Sequence, residues 1–547
     1  MNRKNLTAAV LAGLAGVAGI AGTAQAVNMN PDGLGQVLIY PYYTANDGNS
    51  TILSVVNTTD NAKAIKVRFL EGFNSREVLD FNLYMSMHDV WVASISMVDG
   101  VPTLTVPDTS CTVPYLYLNE NHQQEFLSLA YAGTNNDGGP DTIGRAAEGH
   151  FEMIEMGTLV GEAAANVTHD DSGVPANCLE LTEYWTDYVG AGGTDGKWFA
   201  EAEAQANCDP YPAEGVPPIY TDCTAITDTE RNSGGIFGGA AVVNVENGTM
   251  YSYDAQALQG FDDQEHTSAD RGLHYIPGTI FPSLNTGSVK TSWVFFGVPQ
   301  NQAVDLAYTN TVDAVSSVFM HETVMNEYIV DADIGAATEW VVTFPTKNFY
   351  ADWPRMVQGG LVNAADTPAA RAPFTKLFAA ETAAGDLDCE VVSLQTWDRE
   401  EQTFVPELPG GIRPPVVSPS VPGGCDPAIQ TCESTVFQLC NEVNVMRFGE
   451  ESIFGTPDFD GMSLLLSVED EFVSGWGRME LGTDPVTGNV RIDELGLVGL
   501  PVTGFAAQEF ENNYLEGGVK ANYGGLFKHK GNVKGVAVVS NAPTSAN

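Results

Sequence analysis

The chain has 547 residues, of which 44% are hydrophobic and 10% aromatic, so it can build packed cores and is too long for one ordinary core. Its formal net charge of −46 repels phosphate backbones and anionic lipid headgroups, which argues against nucleic-acid binding. Two interpretations of the acidity stay open: solubility in salty surroundings and binding of divalent cations.

The amino terminus has the form of a bacterial signal peptide. Arg3 and Lys4 give a positive start, Leu6–Ile20 is apolar, and an Ala-x-Ala cleavage site ends at Ala26. We therefore expect an exported protein that starts at Val27, with a net charge of −48 because two basic residues and no acid are removed. No later stretch is apolar over about 18 residues, so no transmembrane helix is expected.

Strand patterns dominate the first part of the mature chain. Residues 35–110 alternate between apolar and polar side chains, which predicts half-buried strands. The stretch "AIKVRF" is typical, with one face made of Ile65, Val67 and Phe69 and the other of Lys66 and Arg68. The stretch "GHFEMIEMG" (149–157) is apolar on both faces and is expected to be a central strand. Asn247-Gly248 between two alternating runs predicts a hairpin with a type I′ turn.

Loops and a few helices interrupt the strands. Residues 105–235 are rich in Asp, Gly, Asn and Pro and predict long loops, with a short helix at "WFAEAEAQA". Helical spacing of apolar residues predicts a helix over roughly 312–329, and a capped, proline-started stretch predicts another over 366–385. From residue 388 strands resume, interrupted by a proline-rich arm at 405–424.

Eight cysteines in an exported chain predict disulfides. They fall into two groups of four, one in each half of the chain. The run Cys425-x6-Cys432-x7-Cys440 lacks the C-x2-C spacing and the nearby histidine that zinc favours, so disulfides are the favoured interpretation. The connectivity stays open among Cys111, Cys178, Cys208, Cys223, Cys389, Cys425, Cys432 and Cys440.

No catalytic signature is present in the sequence. The stretch "HETVM" starts like a zinc-protease helix, but Met325 stands where the second histidine is needed. Glu155 and Glu339 lie on predicted strands, where a buried acid is notable. Among 70 acids, however, the sequence alone does not select the pair that a glycosidase needs.

Two loops combine closely spaced carboxylates with glycine, the pattern of a loop-type calcium site or of a plain turn. The first is "PDFDGM", with Asp458 and Asp460, and the second is "NNDGGPD", with Asp137 and Asp141. Calcium is the one cofactor that the sequence suggests.

The stretch "SVVNTTDNAKAIKVRF" places a polar segment between two apolar runs. Its residues Asn57, Thr58, Thr59, Asp60 and Asn61 are turn formers, so we expect a strand connection rather than a ligand site. The nearby Tyr40, Tyr42 and Tyr43 could stack on sugar rings, but their place on a strand favours packing.

The segments "GQVLIYPYYTANDGNSTILSVVNTT", "EWVVTFPTKNFY" and "GLPVTGFAAQEF" resemble parts of a group of exported proteobacterial proteins of unknown function. That resemblance covers most of the chain and implies no catalytic residues. The strand–"NTT"–strand opening also resembles immunoglobulin-like modules of secreted and surface proteins, which implies an architecture only.

We therefore expect a mainly β protein with immunoglobulin-like β-sandwich domains, a loop-rich, disulfide-pinned middle and a few short helices. The expected units are an N-terminal sandwich at 27–310, with a loop insertion at about 105–235, and a C-terminal β domain at 311–547. The expected function is structural or adhesive, at the cell surface or outside the cell, with the protein binding itself or glycans and catalysing nothing. Alternatives are a secreted polysaccharide-acting hydrolase and an outer-membrane β-barrel, and a periplasmic address is also open.

Overall fold

The computed structural model shows a mainly β protein built from several antiparallel sheets. It describes residues 26–187, 194–205, 226–263, 272–297, 300–378, 389–400, 403–404, 436–449, 451–457, 463–466, 473–514 and 520–535. The predicted signal peptide and the proline-rich arm at 405–424 lie outside the described residues.

Sheet I is eight-stranded and forms the centre of the N-terminal part. Its strands follow the order Asn28–Met29, Gln256–Gln259, Val37–Thr44, Glu148–Leu159, Ala62–Glu71, Glu77–Met85 and Cys111–Val113, and Thr229–Glu230 also pairs with Glu148–Leu159. The strand Glu148–Leu159 is buried along its whole length, so the prediction of a central strand at 149–157 is confirmed.

Sheet II is six-stranded and packs against one face of sheet I. Its strands follow the order Thr249–Asp254, Ile236–Asn244, Asn49–Asn57, Val90–Val98, Val101–Thr105 and Gln123–Glu125. Side chains such as Leu53 and Trp91 of sheet II share a buried cluster with Val67 and Phe151 of sheet I. Burial alternates along Asn49–Asn57, because its other face is open to solvent.

Sheets III and IV form a second pair of packed layers. Sheet III has the order Thr403–Phe404, Glu390–Asp398, Ser474–Glu480, Thr323–Ile329 and Lys530–Asn532, with Val436–Leu439 also paired to Glu390–Asp398. Sheet IV has the order Ser463–Leu466, Val443–Phe448, Ala336–Thr343, Thr503–Tyr514 and Lys520–Lys528. Gly477 of sheet III allows close approach, since a Cβ there would lie 2.9 Å from the Trp340 ring of sheet IV.

Smaller elements connect the four sheets. Three two-stranded sheets pair Thr291–Phe296 with Gln302–Ala307, Met320–His321 with Leu500–Pro501, and Leu497–Val498 with Lys534–Gly535. The α-helices are Gly161–Val167, Cys178–Tyr184, Lys197–Gln205, Thr311–Ser317, Asn348–Ala351 and Trp353–Gln358. Short 3-10 turns lie at Leu116–Leu118, Glu120–His122, Gly133–Asn135, Ile143–Ala147 and Ala332–Ile334.

The two sandwiches are joined by a continuous core. Val341 and Phe505 of sheet IV belong to the same buried cluster as Leu38 and Tyr42 of sheet I. The Thr343 hydroxyl donates to the carbonyl of Pro41 over 2.7 Å. The predicted division at residues 310 and 311 stays a prediction, and the segments on its two sides share these contacts.

The predicted mainly β fold, with sandwich packing and a few short helices, is confirmed, and so is the helix at "WFAEAEAQA". The predicted helix over 312–329 is wrong beyond Ser317, because Thr323–Ile329 is a strand paired with Ser474–Glu480. Residues 366–378 contain no helix, and the rest of that predicted helix lies outside the described residues.

Two predicted turns are found with their local hydrogen bonds. The Asn57 side chain accepts from Thr59 N at 3.1 Å and donates to Asn61 O at 2.7 Å, which confirms a strand connection that bonds its own backbone. The hairpin at Asn247-Gly248 also forms, but residues 245–248 make a longer loop. Gly248 has a φ of 72° and Asn247 is not left-handed, so the type I′ turn is wrong.

Two disulfides hold chain segments to the sheets. Cys111–Cys178 joins a strand of sheet I to the helix Cys178–Tyr184, and Cys389–Cys440 joins two neighbouring segments of sheet III. These bonds confirm the disulfide prediction for four cysteines. The other four, Cys208, Cys223, Cys425 and Cys432, lie outside the described residues.

Candidate functional site

The polar face of sheet I is buried, which corrects the prediction of half-buried strands there. Lys66 is fully buried and Arg68 is 2% exposed. Arg68 donates from Nε to Glu77 at 2.8 Å and from Nη1 to Glu152 at 2.5 Å, while Lys66 pairs with Asp80. Charges at these positions are tolerated because each one faces a partner of opposite sign.

A second ion-pair group continues from this face. Arg145 is fully buried and contacts Glu71 at 2.7 Å and Asp137 at 2.7 Å. Arg76 pairs with Asp352 at 2.7 Å, and the Asn74 amide also donates to Asp352 at 2.9 Å. The region therefore concentrates basic residues of a chain that has only 24 lysines and arginines.

A cleft of about 740 Å³ opens above these ion pairs. One wall is apolar, and two of its residues are strongly exposed, Leu127 at 52% and Leu129 at 72%. The apolar lining includes Leu116, Leu127, Leu129, Trp185, Pro277 and Ile280. The charged lining is Arg76, Glu77, Asp80 and Arg355. A volume in the range of small-molecule sites, with an apolar wall and a few polar groups, is typical of a ligand pocket.

The two acids of the cleft have pKa values displaced in opposite directions. Burial favours a higher pKa for Glu77, but Arg68 and Lys66 outweigh it and hold the pKa below its ordinary value. Burial and the neighbouring Glu77 raise the pKa of Asp80, although Lys66 opposes the rise. Both acids are engaged in ion pairs, and the hydrolase alternative stays a prediction.

Sheet II exposes a broad face with almost no charge. Its side chains follow from the strand register and are Ser50, Ile52, Ser54, Val56, Val90, Val92, Ser94, Phe237, Gly239, Ala241, Val243, Met250, Ser252 and Asp254. Ile52 is 48% exposed, Phe237 42% and Met250 57%. Asp254 is the single charged residue of this set, which spans four of the six strands and which we call the outer face of sheet II. Glu125 of the last strand lies on the same side of the sheet, outside this set. Solvated sheet faces normally carry polar and charged side chains, so this composition is unusual.

Two tryptophans of sheet III, Trp397 and Trp476, stack with ring centroids 4.3 Å apart. The guanidinium carbon of Arg478 lies 5.2 Å from the centre of the Trp397 ring. The rings therefore stack on each other and on a cation, and glycan binding there stays a prediction.

Two buried glutamates lie near the junction of the sandwiches. Glu148 accepts from the Tyr42 hydroxyl at 2.6 Å and from Thr456 at 2.8 Å. Glu339 accepts from Phe454 N at 2.9 Å. Burial raises the pKa of both groups to about 7, and their proximity adds to the rise for Glu148. Glu339 lies on a strand that the sequence predicts, whereas no local sequence pattern marks Glu148 as a buried acid.

Of the four acids predicted to bind calcium, Asp137 and Asp141 lie among the described residues. Both carboxylate oxygens of Asp137 accept from Arg145, whereas Asp141 is exposed. Asp458 and Asp460 lie outside the described residues. Within the described ranges, no three His, Cys, Asp or Glu side chains are grouped to hold a metal, and calcium binding stays a prediction. Tyr40, Tyr42 and Tyr43 are buried, which confirms packing, and Glu155 is a buried partner of Lys63.

No protein family, curated protein or solved structure matches the chain. Within the described residues, no helix is both long and apolar enough to cross a membrane.

Proposed function

We propose that this is an exported structural protein that associates with further copies of itself through the outer face of sheet II. The observation that carries the proposal is the near absence of charge on that face in a chain with a formal net charge of −46. Two copies of so acidic a protein repel each other over most orientations. A face with so little charge is where they can approach closely and remove apolar side chains from water.

The geometry of this face suits stacking of one sheet on another. Four neighbouring strands give it a width of about 14 Å and a length of about 20 Å. Small residues such as Ser54, Gly239 and Ala241 alternate with the larger Ile52 and Phe237, so facing sheets can interdigitate. The area is below that of a standard stable dimer, so each contact is weak and association depends on concentration.

Charge inserted into the centre of the face is expected to abolish association. Like charges brought together on two copies cost enough to weaken pairing at least tenfold, so Ile52→Glu with Val92→Glu should remain monomeric where the wild type gains mass with concentration. Sedimentation velocity over a concentration series measures this. Salt should strengthen wild-type association by screening the repulsion between copies.

Val490→Glu is the matched control, because Val490 is 50% exposed and lies outside the face. It should associate as the wild type does. A wild type that stays monomeric at high concentration and high salt would refute the proposal, as would a double variant that associates normally.

Export is part of the same proposal. Protein recovered from the surface or extracellular fraction of the native host is expected to begin at Val27, because signal peptidase cleaves after a small-x-small motif. Amino-terminal sequencing measures the start. Recovery of a chain that begins at Met1 from the cytoplasm would contradict this expectation.

A further inference from the structure

We propose that the cleft beside sheet I binds the carboxylate of an aliphatic acid, with Arg355 holding the anionic head and the leucine wall holding the chain. The proposal is independent of self-association, because the cleft and the outer face of sheet II share no lining residue.

Arg355 is the cation of the cleft that lacks a hydrogen-bonded acid among the described residues. Its Nε is buried without a hydrogen-bond partner among the described residues, and no carboxylate of that part of the chain accepts from its guanidinium. Burial and repulsion from Arg68 and Arg76 together lower the pKa of Arg355 to about 10, although Glu77 and Asp352 oppose the fall. A bound anion would relieve both penalties.

The acids nearest to Arg355 are already occupied by other donors. Asp352 accepts from the backbone N of Arg355 on one oxygen, and from Arg76 and Asn74 on the other. Glu77 accepts from Arg68 at 2.8 Å. The arrangement therefore presents to the cleft a guanidinium that no carboxylate of the described residues accepts from.

Apart from the Arg76–Asp352 pair, three acids and two cations lie beside Arg355 near the cleft, and each of these acids already accepts from another donor. Asp80 pairs with Lys66 and also accepts from Gly278 N at 2.9 Å, while Glu77 and Glu152 share Arg68. An anion that enters the cleft thus meets acids that already accept from other donors and the Arg355 guanidinium, to which no carboxylate of the described residues is hydrogen-bonded. This distinguishes the cleft from the rest of a strongly acidic chain.

The apolar wall of the cleft determines which chain can be attached to the carboxylate of the ligand. Leu116, Leu127, Leu129 and Ile280 are aliphatic, and the Trp185 indole is buried with its N–H donated to Tyr84 at 2.7 Å. No open aromatic platform for a sugar ring is present among the lining residues. Aliphatic walls favour a methylene chain, and each added methylene is expected to tighten binding by up to about fourfold.

The test uses octanoate, 1-octanol and octylamine with the full mature chain, measured by isothermal titration calorimetry. The wild type should bind octanoate at least tenfold more tightly than octanol and should not bind octylamine. Arg355→Gln should weaken octanoate binding by about 10-fold to 100-fold and leave octanol binding unchanged, as expected for loss of a charge-assisted hydrogen bond. Leu127→Ser with Leu129→Ser should weaken both ligands equally.

Arg478→Gln is the matched control, because Arg478 lies on sheet III outside the cleft and should leave octanoate binding unchanged. The carboxyl carbon of [1-13C]octanoate should keep its ionised chemical shift to lower pH when bound than when free. Equal affinity of the wild type for octanoate and octanol would overturn the proposal even if Arg355→Gln fails to fold. Unchanged octanoate binding by a folded Arg355→Gln would overturn it as well.

Discussion

Replacing Arg145 with methionine is expected to lower the free energy of unfolding by about 3–5 kcal/mol, because it leaves buried Glu71 without its cation and Asp137 with only a contact of 3.5 Å to Arg76. The Arg145 side chain is fully buried and donates to both oxygens of Glu71 and of Asp137. Its guanidinium also lies 4.4 Å from the centre of the Tyr131 ring. Methionine keeps much of the volume and removes the charge. Denaturant unfolding of both proteins measures the difference.

The same site offers an internal control through Glu71. Its carboxylate accepts from the backbone N of Phe73 at 2.8 Å and of Arg76 at 2.8 Å, so it also organises the turn after its strand. Adding Glu71→Gln to Arg145→Met should restore part of the lost stability, because it removes a buried charge. Arg478→Met should cost at most about 1 kcal/mol, since that side chain is 37% exposed. A loss below 1 kcal/mol for Arg145→Met would show that the pair contributes little.

Glu148→Gln is expected to gain stability relative to the wild type as the pH rises from about 4.5 to about 8. Burial raises the pKa of Glu148 to about 7, so the folded state binds a proton that the unfolded state releases. Glu148 therefore contributes fully to the stability of the wild type below the pKa that it has in the unfolded state. This contribution is lost as the pH rises through the pKa that it has in the folded state. A shift of this size corresponds to about 3 kcal/mol. The measurement is the difference in unfolding free energy between variant and wild type across pH.

Glutamine suits this position because one oxygen of Glu148 accepts both strong hydrogen bonds, from Tyr42 and Thr456. The other oxygen faces only the Asn46 amide at 3.4 Å, which can turn to present its oxygen.

The variant must be compared with the wild type because buried histidines change the pH dependence of stability in the opposite direction. Burial lowers the pKa of His150 to about 3 and that of His529 to about 4, so both favour the folded state as pH rises towards 6.5. Glu162→Gln, at a side chain that is 70% exposed, should track the wild type at every pH. A difference between Glu148→Gln and the wild type that does not change with pH would contradict the expectation.

Local patterns predicted the strands well, and distant contacts limited the rest. Alternating polarity predicted the strand Ala62–Glu71, but the burial of Arg68 depends on residues far away in sequence such as Glu152, with which it pairs. The apolar spacing of Val315 and Val318 predicted a helix that continues to residue 329. Pairing of Thr323–Ile329 with Ser474–Glu480 overrides that local preference.

The partners of the side chains in the candidate sites were harder to predict from the sequence than the strands were. Asp137 was recognised as an oxygen donor in a glycine-rich turn, but a short sequence pattern does not reveal that its partner is Arg145. That Asp352 does not pair with Arg355 depends on Asn74 and Arg76, which reach Asp352 from a distant segment of the chain. The outer face of sheet II was closer to prediction, because its alternating small residues are visible in the sequence and only the strand order is missing.

The shared core also sets how this polypeptide can acquire its shape. The Tyr42 ring, close to the start of the described chain, packs 6.1 Å from Phe505, and Phe505 stacks at 5.3 Å on Tyr253. A chain that is synthesised from its amino terminus therefore cannot complete this core until the strand Thr503–Tyr514 has been made. Contacts between such distant positions require the closure of a long loop, whose entropy cost slows folding. Until the loop closes, the sheets formed earlier expose apolar surface to solvent.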